Sequence, residues 1–211
     1  GGEVQVVGTP AEEGGGGKVL MVERGAVDGV DFALMMHPRT ENIIGRGGRA
    51  AQGGRVEYRG RSAHSATPDK GINALTSLIA LFNGIDTLRQ VWPNSAKING
   101  IITKGGSASN IIPELAEALF TVRASTKKEL VAMFADLQRV ADAAARLTGA
   151  EVVVEGEPVY AERYSNSVRG EAIKRSMETL GEPMEYTDRK ERVGSSEVGN
   201  VSTEIPTIHE Y

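Results

Sequence analysis

Two stretches of this chain each carry a single apolar stripe at helical spacing, and both are bracketed by short apolar runs of strand length. In the first, Ile72, Leu75, Leu78, Ile79, Phe82, Ile85 and Leu88 recur on one face; in the second, Leu130, Val131, Phe134, Leu137, Ala141 and Ala144 do. Thr126 and Glu129 stand as a capping box ahead of the second stripe, and Gly149 closes it. The pattern predicts helices over 72–91 and 127–148, with strands at 55–59, 97–103, 114–124 and 151–155. That order, βαββαβ, is the split motif of ferredoxin-like domains.

On both sides of this block the chain reads as an α/β layer. Glu3 to Val7 is predicted as a strand, Gly14 to Gly17 as a loop, Lys18 to Glu23 as the start of a helix, and Asp31 to Met36 as a strand that ends at His37 and Pro38. Beyond Pro158 a helix over 165–180 resumes the pattern, followed by the polar loop Val193 to Glu197 and an apolar run at Ile205 to Ile208. A glycine-rich seam from Ile43 to Gly54 reads as a hinge. The expected organisation is one domain inserted into another: 1–46 and 159–211 outside, 47–158 inside. The chain opens on Gly1 without a Met and stops at Tyr211 just after an apolar run, so both ends read as cut.

Composition narrows the classes of function. With 211 residues, 40% hydrophobic and 25% charged, the chain can bury a real core. Its net charge of −4 and scattered Lys and Arg give no footprint for nucleic acid or an anionic membrane, and no partner of either kind is expected. No apolar run approaches the ~20 residues of a membrane span. The absence of Cys rules out disulfides and thiolate ligands and fits a reducing compartment, so a cytoplasmic location is expected.

The chemistry concentrates at a few positions. Glu12 and Glu13 set two adjacent carboxylates at the end of an apolar run, directly before four glycines that let backbone turn sharply. A Glu pair is ordinarily solvated surface, but the end of a strand in an open α/β sheet is where ligands collect. Of the three histidines, His37 sits at a strand end one βα unit away from Glu13, and imidazole with carboxylate suits Zn²⁺; a merely hydrogen-bonded strand-end His is the plain alternative. His64 lies among small residues in Ser62-Ala63-His64-Ser65-Ala66, read as a loop with room to reach the imidazole or as an idle surface His. His209 has no assignment. Lys18 after the glycines lacks the Ser/Thr and the spacing of a phosphate-binding loop.

Taken together, these segments resemble the M20 metallopeptidases, in particular the branch with p-aminobenzoyl-glutamate hydrolases and dipeptidase-like proteins. The likeness runs along the whole chain, through Gly8-Thr9-Pro10-Ala11-Glu12-Glu13 and the glycines, Met36-His37-Pro38, Ser62-Ala63-His64, Asn110-Ile111-Ile112-Pro113, Arg123-Ala124 and Gly194-Ser195-Ser196-Glu197 through Ser202. The resemblance implies a zinc-exopeptidase-like catalytic domain, present in part, with an inserted lid that makes a homodimer. It implies two divalent ions, Zn²⁺ or Mn²⁺, and hydrolysis of an amide in an N-acyl or N-aminoacyl amino acid or a dipeptide. By that analogy Glu12 is the general base, Glu13 and His37 are metal ligands, and His64 stabilises the oxyanion from across the dimer. Asn110, Arg123 and, more weakly, Ser195 would bind substrate, Arg123 by gripping a free carboxylate.

The departures matter too. The family's first ligand segment lies upstream of the Glu pair and its last His beyond Tyr211, so this chain holds two of five expected ligands and is not expected to keep two metals or turn over by itself. Glu197 stands where relatives usually have Asp, and Glu210 where Pro is common. The competing reading is a non-catalytic dimerisation or binding module built on the insert.

Overall fold

The computed structural model describes residues 2–187 and 194–211, which form two units: Gly1–Ala51 with Pro158–Tyr211, and Gln52–Glu157. Val193, the first residue of the expected polar loop, lies outside the described residues.

In the first unit the chain does not begin with the expected strand. Residues 2–10 join no ladder among the described residues, and Val4 and Val6 are 91% and 97% exposed. Apolar alternation makes a strand only where a neighbour pairs its backbone and covers one face, and neither is supplied here. The helix α1 (Gly17–Glu23) follows, then β1 (Ala33–Met36) and β2 (Ile43–Ile44). β2 lies within the glycine-rich seam, β3 (Ala50–Arg59) starts inside it, and the boundary between the two units falls in the same stretch, at Ala51 and Gln52. Its glycines are held by paired backbone, as where Gly48 bridges Arg163 and Ala51 bridges Tyr160.

The second unit takes over along β3 and continues with β4 (Ala63–His64), α2 (Ala74–Leu88), β5 (Lys97–Lys104), β6 (Ile111–Ile112), β7 (Leu115–Ala124), α3 (Lys127–Thr148) and β8 (Glu151–Gly156). His64 was expected in a loop; it sits instead in a two-residue ladder with Ile111. The main sheet has the order β5-β7-β3-β8, and the β5–β7 and β3–β8 pairs are antiparallel. This is the split βαββαβ arrangement.

Alternation on the strands explains the core. Val56 and Tyr58 from β3, and Ala116, Ala118, Phe120 and Val122 from β7, are buried together with Leu78, Leu81 and Ile85 of α2 and Leu130, Met133, Leu137 and Ala141 of α3. Phe82 meets Phe120 with ring centroids 5.1 Å apart, and the buried hydroxyls are satisfied, Tyr58 donating to the Ala141 carbonyl at 3.0 Å and Ser77 bonding the Thr148 hydroxyl at 2.5 Å. Both helices are capped, Thr126 accepting from Glu129 N–H at 3.2 Å as the sequence indicates, and Asn73, which the sequence reading placed inside the helix, from Thr76 N–H at 3.1 Å. Gly84 allows the helices to approach, since a Cβ there would come within 2.4 Å of Val140. On the opposite sheet face Arg55 bonds Glu57, Glu117 and Glu155 at 2.5, 2.8 and 3.1 Å.

The chain then returns to the first unit with α4 (Ser167–Thr179), β9 (Glu185–Tyr186), α5 (Val198–Ser202) and β10 (Thr207–Glu210). β10 runs parallel to β1 from Ala33↔Thr207 to Met36↔Glu210, and β9 runs parallel to β2. No helix among the described residues is long and apolar enough to cross a membrane.

Candidate functional site

The paired carboxylates stand on a turn that depends on its glycines. Gly14 N–H returns to the Glu12 carbonyl at 2.8 Å and Gly15 N–H to the Ala11 carbonyl at 3.0 Å, with Ala11, Gly14 and Gly16 at φ of 55°, 94° and 65°. A Cβ on Gly17 would lie 1.9 Å from the Pro10 carbonyl oxygen. Both Glu12 and Glu13 are therefore presented to solvent from a coil wound directly onto α1, and Tyr160 O–H steadies it by donating to the Glu12 carbonyl at 3.3 Å. Burial, then the neighbouring Glu197 carboxylate, pushes the Tyr160 phenol above its usual range.

Beneath this turn is a pair that reading the sequence missed. Glu197, fully buried, accepts from Lys18 Nζ at 2.6 Å through one oxygen and from Lys18 backbone N–H at 2.8 Å through the other. The carboxylate thus neutralises a buried ammonium and also satisfies an otherwise orphaned donor in the first turn of α1. Its neighbour Asn200 closes the adjoining backbone, accepting from Ala161 N–H and donating to the Val159 carbonyl, both at 3.0 Å. The signal was in view, a Lys directly after the glycines and a Glu in an otherwise small-residue loop, but they are 179 positions apart and only the fold pairs them.

The histidines carry distinct protonation patterns, fixed by what each Nδ1 touches. Exposed His37, directly after β1, has Nδ1 at 2.8 Å from the Pro38 carbonyl, which can only accept, so Nδ1 bears a proton and the lone pair of the neutral ring lies on Nε2. That is the tautomer of a metal ligand whose other nitrogen is held by a carbonyl. His64 is the reverse: its Nδ1 accepts from Ala66 N–H at 3.1 Å, leaving Nε2–H as an outward donor. β4 and β6 bring His64 close to Asn110, whose carbonyl takes Ser65 N–H at 2.9 Å. Arg123 stands elsewhere in the same unit, exposed on β7 opposite Lys97. Ser195 is half-buried in the coil before α5.

His209 is 1% exposed on β10, with its ring centroid 5.8 Å from that of His37 and 5.3 Å from that of Tyr211. Buried Arg163 directs Nη1 at its Nδ1 at 2.5 Å. Burial, then the Arg163 charge, lowers the His209 pKa to about 3, so the imidazole is neutral across the physiological range. Next to it Glu210 accepts from Gly45 N–H and Ser165 O–H, each at 2.7 Å, while burial pushes its carboxyl above the usual range.

As a test of whether a metal fits, the described residues contain no group of three or more His, Cys, Asp or Glu placed to hold one ion. Zinc sites usually draw on three or four protein ligands, so these residues do not compose a centre by themselves. His37 alone among the histidines offers a free Nε2 lone pair.

Comparison with known proteins follows the same lines. Residues 46–149 match the M20 peptidase dimerisation domain. Over 99% of its length the chain is 34% identical to Xaa-Arg dipeptidase of Mus musculus, and it spans about half the length of the curated relatives it matches, 49% in this case. Among solved structures, an aminobenzoyl-glutamate utilization protein from Klebsiella pneumoniae superposes with a TM-score of 0.81 at 20% identity, covering 96% of this chain and 55% of that one. A dinuclear metal binding peptidase of the M20 family from Bacillus subtilis gives a TM-score of 0.65 at 20% identity, with coverage of 96% and 53%.

Proposed function

The chain belongs to the M20 peptidase family, and on that premise we propose that the protein is a metal-dependent hydrolase of amide bonds in dipeptides or N-acyl amino acids. The observation that carries this reading is the His37 tautomer, a Nε2 lone pair left free at a strand end by the Pro38 carbonyl. The exposed Glu12–Glu13 turn and the identity to a dipeptidase along 99% of the chain support it.

In this proposal Glu13 and His37 are two of the ligands to a pair of divalent ions, zinc or manganese, with the others supplied outside these 211 residues. Such ions, when bound, would supply a water acidified towards ~7. Glu12 would hold the position of a general base, able to accept a proton and pass it to a leaving amine; neighbouring side chains diverge, so Glu13 can serve as ligand while Glu12 stays free. The outward Nε2–H of His64 is in the donor state an oxyanion requires, and Asn110, Arg123 and Ser195 contact the substrate. Dimerisation through residues 46–149 and a cytoplasmic location, the latter supported by the lack of Cys, belong to the same proposal.

The test is metal analysis and turnover of the full-length protein on dipeptides with a free carboxylate. About two metals per subunit and loss of hydrolysis on chelation are expected. A metal-free dimer with no turnover would instead establish the binding-module reading.

A further inference from the structure

Arg163 is a buried cation with no carboxylate hydrogen-bonded to it among the described residues, and Glu210 feels its charge only through space. At 3% exposure, its three nitrogens bond only neutral acceptors: the Arg46 and Gly47 carbonyls at 3.2–3.3 Å, the Tyr211 hydroxyl at 3.0 Å and His209 Nδ1 at 2.5 Å. No carboxylate of the described residues pairs with it, and the nearby Glu210 is occupied by Gly45 and Ser165. A guanidinium cannot give up its proton, so the charge stays. Because the guanidinium only donates, His209 Nδ1 must accept, and the neutral ring carries its proton on Nε2. That Nε2–H is buried and has no partner. An orphaned donor is costly, and a buried charge without a hydrogen-bonded counter-ion costs more. Both deficits meet in one imidazole–guanidinium unit. The Arg39 and Arg163 guanidiniums lie 5.4 and 5.7 Å from the Tyr211 ring centroid beside it.

We propose that Arg163 and His209 form an anion site that takes a small carboxylate, with one carboxylate oxygen accepting from His209 Nε2–H. Arg163 acts through the ring, fixing its tautomer and supplying the charge. The imidazole lies beside exposed His37 and half-buried Tyr211, so it is close to the surface despite its burial. The two neighbouring histidines divide the work by tautomer: His37 presents a lone pair to a cation and His209 a proton to an anion. The identity of the carboxylate rests on the proposed function, as either the free carboxylate of the amide substrate or the acid released; the site itself does not.

The experiment is a titration of the 211-residue chain labelled with ¹⁵N-histidine, read at the His209 ring nitrogens by NMR. Acetate, N-acetylglycine and the carboxylate-free N-methylacetamide are added in turn, to about 100 mM, a range that captures millimolar affinities. His209 is expected as the Nε2–H tautomer at neutral pH, and its Hε2 resonance is expected to move saturably with both carboxylates and not with N-methylacetamide. Tighter binding of N-acetylglycine identifies the substrate carboxylate; tighter binding of acetate identifies the released acid. In Arg163→Gln the midpoint is expected to rise about tenfold or more, as for loss of a charge-assisted contact. The proposal is overturned by a Nδ1–H tautomer, by no saturable shift in the folded wild-type chain, or by an equal response to N-methylacetamide. The wild-type result stands even if the Arg163 variant fails to fold. Since neither metal nor turnover enters, a failed hydrolase assay leaves the outcome untouched.

Discussion

The two units of this chain bury different kinds of atoms. Between its sheet and its two helices, residues 52–157 bury Val, Leu, Ile, Phe and Ala, and the buried Tyr58 hydroxyl has its carbonyl acceptor. The other unit buries Lys18, Arg163, Glu197, His209 and Glu210, with β-ladders of only two strands. Polar burial costs stability unless each group is satisfied, so a fold that concentrates it in the outer unit, against only Glu57 and Ser77 in the inserted one, fits the outer unit as the place of the proposed chemistry. The inserted unit is built for packing, and the outer one holds its side chains by hydrogen bonds around the candidate site.

The strongest way to break that comparison is at Glu12. In the full-length protein, Glu12→Gln is expected to keep its metal while lowering kcat by about 10²–10⁴-fold, the usual worth of a general base. Metal analysis beside steady-state kinetics checks it; unchanged kcat would remove Glu12 from the mechanism and leave the outer unit with polar burial but no assigned chemistry.

Next is the pair beneath the carboxylate turn. Glu197→Ala strands the Lys18 ammonium and is expected to cost about 3–5 kcal/mol, seen as faster amide exchange in 17–23. The double variant Lys18→Met with Glu197→Met should recover most of that stability, since apolar replacement of both partners of a buried pair is often neutral. If the double variant is as unstable as the single, the pair contributes net stability and the contrast between the units is weaker than drawn. Recovered stability with hydrolysis still lost in the full-length protein would show that the pair positions the turn.

What the sequence made legible follows the same divide. Helix α3 occupies 127–148 as expected and α2 occupies 74–88 within the predicted 72–91, because an apolar stripe and a cap are local signals. The four strands of the inserted unit's main sheet were equally readable, whereas the two-residue β4 and β6 were not. The outer unit was read less well, since its determinants are far apart in the chain. Glu3 to Val7 carries a strand pattern yet pairs with nothing described, Glu197 depends on Lys18, and His209 has meaning only beside Arg163. His37 was recognisable as a candidate from its place before Pro38, but its tautomer required coordinates.

A packing variant sharpens the contrast from the other side. Leu137→Ala removes a fully buried side chain of α3 and is expected to destabilise the inserted unit by about 2–5 kcal/mol. The single tryptophan, Trp92, lies in this unit, so denaturant unfolding followed by its fluorescence reports the loss directly. A cost below about 1 kcal/mol would mean that the interior collapses around the deletion and is less tightly packed than its burial indicates.

The smallest effect sets the lower edge of the comparison, a polar contact in the packed unit that should matter little. Asp136 accepts from Trp92 Nε1 at 2.9 Å and from Arg139 at 2.5 Å, and these bonds, the Trp92 one foremost, hold its carboxyl below the usual range. A depressed carboxyl gives stability that is complete above its unfolded pKa of about 4 and is lost as pH falls through the lower folded value. With the side chain 31% exposed, solvent screening keeps the contribution under about 1 kcal/mol. Asp136→Asn is therefore expected to lower stability slightly at neutral pH and to flatten the acid limb of the Trp92 unfolding midpoint below about pH 4. An effect as large as that of Glu197→Ala would mean that the inserted unit also depends on polar contacts, and the division between the two units would fail at its simplest point.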